Sequence, residues 1–199
     1  MEIESLIESK SYPNKYLNKL WQVIKSIEIQ DIDDNTWLLE DAVEEIIERF
    51  TSLKISDNKV IFIGNGGSAG IASHQAIDYW KNGEIPATAF NDPSLLTCIS
   101  NDYGYEYVFE KPITMFGKKG DILIAISSSG TSENILNAVQ AAKEKDLFVI
   151  TMSGFSKENP LRALGDINFY VPSEVYGHVE IAHLILSHTI LDTHMDTKL

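Results

Sequence analysis

The stretch from Lys59 to Tyr79, KVIFIGNGGSAGIASHQAIDY, constrains the fold of this chain more than any other. Val60, Ile61, Phe62 and Ile63 form a short apolar run of β-branched and aromatic residues, which predicts a buried strand. The run breaks into Gly64-Asn65-Gly66-Gly67-Ser68, whose three glycines permit positive φ and close approach of backbone to a ligand. Ser68 is expected to cap a helix that carries Ile71, Ala72, His74, Gln75 and Asp78. A strand that turns through glycine into a helix N-terminus makes an anion site, because free N–H groups and the helix dipole point at one spot. The spacing is neither the GxGxxG of a dinucleotide fold nor a phosphate loop with its lysine.

Composition narrows the partners. The 199 residues suit one domain with room for an appended helical segment. Lys+Arg 16 against Asp+Glu 29 leaves a net charge of −13, which argues against a nucleic-acid or anionic-membrane surface. A small anionic ligand remains compatible, since backbone amides and hydroxyls bind phosphate without a basic patch. The single Cys98 excludes an intramolecular disulfide, and its apolar run, Leu95 to Ile99, predicts a core position. The acidic start lacks the basic and apolar regions of a signal peptide, and no apolar run approaches the ~20 residues of a membrane helix. A soluble, cytoplasmic protein is expected.

Residues 1–58 read as a helical extension and 59–195 as the ligand-binding domain. In the first helix, Tyr16, Leu17, Leu20, Trp21, Ile24 and Ile27 recur at three- and four-residue steps after Pro13. Asp31 to Asn35 interrupt, and a second helix places Trp37, Leu38, Val43, Ile46, Ile47 and Phe50 inward. From Lys59 onward strands and helices alternate: a weak strand at 88–90, a helix from Asp92-Pro93, a turn at 101–104, a helix over 106–115, and a clear strand at 121–126. A helix over 132–145, strands at 148–152 and 168–171, and a last helix from about Val175 past Asp192 complete the pattern. The expected fold is α/β and doubly wound, with a five-stranded parallel sheet covered on both faces and ligands at the carboxyl ends of its strands.

The 121–126 strand ends in Ser127-Ser128-Ser129-Gly130-Thr131-Ser132, followed by Glu133-Asn134 at the next helix start. Five hydroxyls around one glycine at a helix N-terminus suit several phosphate oxygens at once. Two independent turns of this kind are hard to explain as flexible loops.

With both turns in view, the chain resembles the sugar isomerase (SIS) domain family, and within it the bacterial phosphoheptose isomerases. The matching residues are Gly64–Ser68, His74, Ser100-Asn101-Asp102-Tyr103-Gly104, Ile126–Asn134, Lys145–Ser153 and Glu180–His188. They span roughly residues 35 to 192. The resemblance implies that Ser68, Ser127, Ser129 and Ser132 hold a sugar phosphate, assisted by Ser128 and the loop amides of Gly66 and Gly67, with Asn65 supporting the first turn and Asp102 near the sugar chain. It further implies a homotetramer with active sites between subunits, and a divalent metal, usually zinc, bound through His74, Asp78, Glu180 and His188. Asp78 and His188 are then the base and the acid. This chain departs from the family pattern in carrying Asp78 for a usual Glu and Glu180 for a usual Gln, and in a short segment between Asp78 and Asp92 without the arginines common there.

His74 and Asp78 stand i,i+4 on one helix face, ~6 Å apart along the axis. Glu180 and His188 are eight residues apart, ~12 Å of helical rise, so one ion barely bridges them. Either the helix frays near Glu180 or the two serve sites on different subunits. His183 shares a face with Glu180 and reads as a packing or supporting residue; His178 and His194 carry no assigned role. Aldose–ketose interconversion needs a base beside the carbonyl, an acid for its oxygen, and a donor or ion to steady the developing charge. The expected activity is isomerisation of sedoheptulose 7-phosphate to a manno-heptose 7-phosphate for surface polysaccharide synthesis. The rival expectation is a non-catalytic SIS module that binds a sugar phosphate or a protein partner, as in a relative that binds the bacterial replication initiator.

Overall fold

The structure, a computed structural model, describes residues 12–197; the acidic start over residues 1–11 lies outside them. The apolar run at 60–63 forms β2 (Val60–Gly64), which pairs in parallel with β3 (Ala87–Ala89) on one side and β4 (Ile122–Ser127) on the other. β5 (Phe148–Ser153) and β6 (Ile167–Tyr170) continue the parallel ladder outward from β4. Helices α3 (Gly67–Lys81), α4 (Pro93–Asp102), α5 (Glu110–Phe116), α6 (Glu133–Glu144) and α7 (Tyr176–Asp196) connect or follow these strands.

Strand side chains alternate between two cores, as the two-residue period of a pleated strand requires. Val60, Phe62, Ile122, Ile124, Ile126 and Met152 point into one, shared with α3, α7 and α2 (Leu39–Ser56). Ile61, Ile63, Leu123, Ala125 and Val149 point into the other, shared with α5 and α6. Burial on both faces explains why these strands read as continuous apolar runs.

The sheet has six strands, not five: with β1 (Glu28–Asp31) the order is β1-β6-β5-β4-β2-β3. The extra member lies antiparallel to β6 and comes from the segment read as wholly helical. Helix α1 (Tyr12–Lys25) stops before Ile27, so the apolar spacing that ran through Ile27 crossed a helix end. β1 shows little strand pattern because only Ile29 is buried. It is held instead by Arg162, which donates to Glu28 Oε2 at 2.7 Å and to Gln30 Oε1 at 2.9 Å. Cys98 is exposed rather than in the core: Leu96 and Ile99 turn toward the core and leave it on the outer face of α4. No helix among the described residues is long and apolar enough to cross a membrane.

β2 and β4 are clamped at their starts by Asp121, a fully buried side chain. Its carboxylate accepts from Asn58 Nδ2 at 2.9 Å, from the Lys59 and Lys118 N–H groups at 3.0 Å each, and from Lys59 Nζ at 2.6 Å. Burial pushes this carboxyl up, but the bonds from Lys59, Asn58 and the backbone outweigh it and hold it below the usual carboxylate range. A lowered folded-state value stabilises the fold fully above the ordinary aspartate range, and that contribution is lost as pH falls through the lowered value. Asp121→Ala leaves a partly buried cation and several donors unmatched, and is expected to cost about 3–5 kcal/mol in urea unfolding. The variant should also lose part of the acid-induced drop in stability seen in the parent chain. A loss below 1 kcal/mol, or an unchanged acid limb, would contradict the clamp.

Candidate active site

β2 and β4 are adjacent, so the turns that leave their carboxyl ends lie side by side. The first turn enters α3 through Gly66 at φ +53, a conformation that L residues rarely adopt. Gly66, not Ser68, is therefore the N-cap residue, and Ser68 sits buried in the first helical turn. The second turn enters α6 after Ser132. A reciprocal amide pair joins them: Asn65 Nδ2 donates to Asn134 Oδ1 and Asn134 Nδ2 donates to Asn65 Oδ1, each at 2.9 Å. The Tyr105 hydroxyl adds a bond to Asn65 Oδ1 at 2.9 Å.

Between the turns lies a cleft of about 200 Å³, lined by Asn65, Gly66, Gly67, Ser68, Ser127, Ser128, Ser129 and Ser132 together with Tyr176 and Glu180. These are the residues expected to hold phosphate, Asp102 excepted. Asp102 ends α4, is exposed, and accepts from the Asn101 side chain at 2.8 Å. Within the cleft the serines are partly organised by each other, Ser127 Oγ donating to Ser132 Oγ at 3.3 Å and accepting from the Gly130 N–H at 3.2 Å. Among the described residues no lysine or arginine lines the cleft, so an anion there would depend on hydroxyls, amides and two helix N-termini. A larger hollow of about 570 Å³, bordered by Arg49, Lys143 and Phe148, opens at the opposite ends of the strands and contains none of the expected site residues.

Two turns along α3 from the cleft, His74, Asp78 and His188 form a second cluster, with one ligand atom of each within 4.8 Å of the others. His74 Nε2 lies 3.3 Å from Asp78 Oδ2, and the His74 and His188 rings stand edge to face with centroids 5.6 Å apart. Asn82 Nδ2 donates to the other carboxylate oxygen of Asp78 at 3.2 Å. Two imidazoles and a carboxylate are a donor set that fits a divalent cation such as zinc.

Glu180 stands apart from this cluster, on the wall of the serine cleft. A Cβ on Gly67 would lie 2.5 Å from its Oε1. The reason is that α3 and α7 run side by side in the same direction: Gly67 faces Glu180, Gln75 faces His188 and Gly83 faces Leu191. α7 is continuous from Tyr176 to Asp196, so no fraying brings Glu180 toward His188. His183 is wholly buried, donates Nε2–H to the Ser153 carbonyl at 3.2 Å, and is pushed down to about 4 by burial; it is neutral and structural. Four further residues at the site were not singled out from sequence. Asn134 lay within the second motif and Gln75 between His74 and Asp78, so position alone pointed at them; Tyr105 and Tyr176 carried no local signal.

A SIS domain family model matches residues 16–154. The phosphoheptose isomerase of Shewanella frigidimarina is 36% identical over 174 residues, covering 82% of this chain and 87% of that protein. That of Cytophaga hutchinsonii is 35% identical over 184 residues, covering 85% and 96%. Among solved structures, the phosphoheptose isomerase of Neisseria gonorrhoeae superposes with a TM-score of 0.72 at 35% identity over 79% of this chain and 87% of that one. The Francisella tularensis phosphoheptose isomerase, at 24% identity, shares the fold over 98% of this chain and 99% of that one, with a TM-score of 0.75.

A neutral hydroxyl bonded to a charged oxygen contributes about 1.5–3 kcal/mol. Ser127→Ala combined with Ser129→Ala is therefore expected to weaken sugar-phosphate binding at least about tenfold in calorimetry, with an unchanged circular dichroism spectrum. Asn134→Ala strands the Asn65 amide and should weaken the same binding through loop misplacement. Full affinity in both variants would rule out the cleft as the phosphate site.

Proposed function

The chain belongs to the SIS domain family, and from that footing we propose that it is a phosphoheptose isomerase, converting sedoheptulose 7-phosphate to D-glycero-D-manno-heptose 7-phosphate for surface polysaccharide synthesis. One observation carries the reading: α3 begins at the phosphate-type cleft and, two turns on, presents His74 and Asp78 opposite His188. A substrate anchored by its phosphate among Ser68, Ser127, Ser129 and Ser132 would extend its carbonyl end along α3 toward those three side chains. Names of relatives 35–36% identical over most of the chain support the same reaction.

Asp78, as base, takes the proton from the carbon beside the carbonyl, and His188 donates a proton to the carbonyl oxygen, giving the enediol. Asp78 then returns its proton to the former carbonyl carbon while His188 takes back a proton from the adjacent enediol hydroxyl, which becomes the aldehyde oxygen and completes the shift from ketose to aldose. Asn82 keeps one Asp78 oxygen engaged and so orients the other. A divalent ion, zinc by the donor chemistry, would be held by His74, Asp78 and His188 and would supply polarisation of the substrate oxygens. The charged substrate does not cross membranes unaided, which puts the reaction in the cytoplasm.

Exposed apolar side chains among the described residues include Leu17 and Trp21 on α1, Ile77 and Trp80 on α3, and Ile181 and Ile185 on α7. These faces support a homotetramer with active sites between subunits. The Glu180 carboxylate beside the serine cleft favours the other reading, a module that binds a sugar or protein without turnover, because it repels a phosphate placed near it.

An NMR time course with sedoheptulose 7-phosphate, with and without zinc, separates the two. The isomerase reading expects aldose signals to grow in; their absence under every divalent ion supplied would leave the binding module. General acid–base steps contribute ~10²–10⁴-fold, so His188→Ala and Asp78→Ala should lower turnover by at least about 10² while retaining sugar-phosphate binding. Light scattering at micromolar concentration should return four times the 22.3 kDa chain mass. A value matching one chain would exclude the tetramer.

A further inference from the structure

Gln75 stands between His74 and Asp78 in sequence and, unlike the exposed His74, is wholly buried, in the seam where α3 meets α7. Its Nε2 lies 3.0 Å from Nε2 of His188. One turn along α3, the Tyr79 hydroxyl donates to the Ser187 carbonyl at 3.2 Å, so two hydrogen bonds hold α7 at the level of His188. Packing alone does not account for an amide here, because Gln75 Oε1 is buried without a partner. An apolar side chain of similar volume would fill the seam without leaving a polar atom stranded.

We propose that Gln75 is a positioning residue that fixes the ring orientation and tautomer of His188, an inference that rests on the reading of His188 as the acid of the isomerase. An amide nitrogen can only donate, so His188 Nε2 must present its lone pair, and the neutral ring then carries its proton on Nδ1. In that form His188 offers Nδ1–H to an oxygen, as an acid must. Metal-ligating and catalytic imidazoles are commonly set in this way by the partner of their other nitrogen. A cation that took His188 through Nε2 would have to displace the amide, so in the metal-free chain Gln75 keeps the ring in its proton-donor form.

The test is long-range ¹H–¹⁵N NMR of the full-length, metal-free chain labelled at histidine nitrogens, at a pH where the ring is neutral. His188 is assigned by the resonance missing from His188→Ala. The wild type should show an unprotonated Nε2 and a protonated Nδ1. Gln75→Met keeps the volume but has no donor, so the Nε2–H form should appear. Gln75→Glu, once ionised, can only accept, so at a pH above its titration it should draw a proton onto Nε2. Turnover of sedoheptulose 7-phosphate by Gln75→Met should fall about 10–100-fold with KM little changed, the size of effect usual for loss of a partner behind a functional histidine. An Nε2–H ring in the wild type, or the same tautomer in all three proteins, overturns the proposal. If the tautomer moves as expected while the wild type isomerises no heptose phosphate, the action of Gln75 on His188 stands and the isomerase reading alone fails.

Discussion

Everything at the site depends on the parallel pairing of β2 with β4, in which Val60 lies opposite Ile122 and Gly64 opposite Ile126. That register ends both strands at the same height and starts two helices from neighbouring points. Asp121 secures one end of the pair through donors from Asn58, Lys59 and Lys118. The Asn65–Asn134 amide pair secures the other. The polar groups at the two ends are matched, so the central apolar ladder runs uninterrupted between them.

The second organising feature is the seam between α3 and α7. Because these helices run in the same direction, equal spacings along each keep matching residues opposite: Gly67 and Gln75 on one face Glu180 and His188 on the other. The glycine admits the Glu180 carboxylate at the cleft, and the glutamine reaches the imidazole two turns on. The seam thus separates the serine cleft, beside Glu180, from the His74, Asp78 and His188 cluster two turns on. Rigidity at that seam suits a reaction in which a base and an acid must stay within reach of adjacent carbons.

The anion site proposed in the cleft lies inside a chain of net charge −13. Long-range attraction cannot be the means, since the field of the whole molecule opposes an incoming anion. Short-range donors are what the cleft offers instead: the hydroxyls of five serines and the N-terminal N–H groups of α3 and α6. Glu180 is the one carboxylate on the cleft wall among the described residues, and its charge acts against those dipoles to the extent that solvent leaves it unscreened.

The strand–turn–helix units were legible from sequence because each is local. Val60 to Ser68 and Ile122 to Ser132 carry their own hydrophobic run, glycine and hydroxyls, and a helix-forming stretch follows each. The i,i+4 relation of His74 and Asp78 was legible for the same reason. What required the tertiary structure was every relation across distant segments. β1 joins the sheet by pairing with β6 and is braced by Arg162, both more than a hundred residues away, and its four residues show little pattern of their own. Cys98 lies in an apolar run yet is exposed, since a short helix at the sheet edge turns only Leu96 and Ile99 inward. Glu180 and His188 share one helix, but only the direction of its packing on α3 assigns the first to the cleft and the second to Gln75. Local sequence determines which turns and helices form, because the energies that choose them act over a few residues; which turns become neighbours is decided by burial of both sheet faces, which no short stretch encodes.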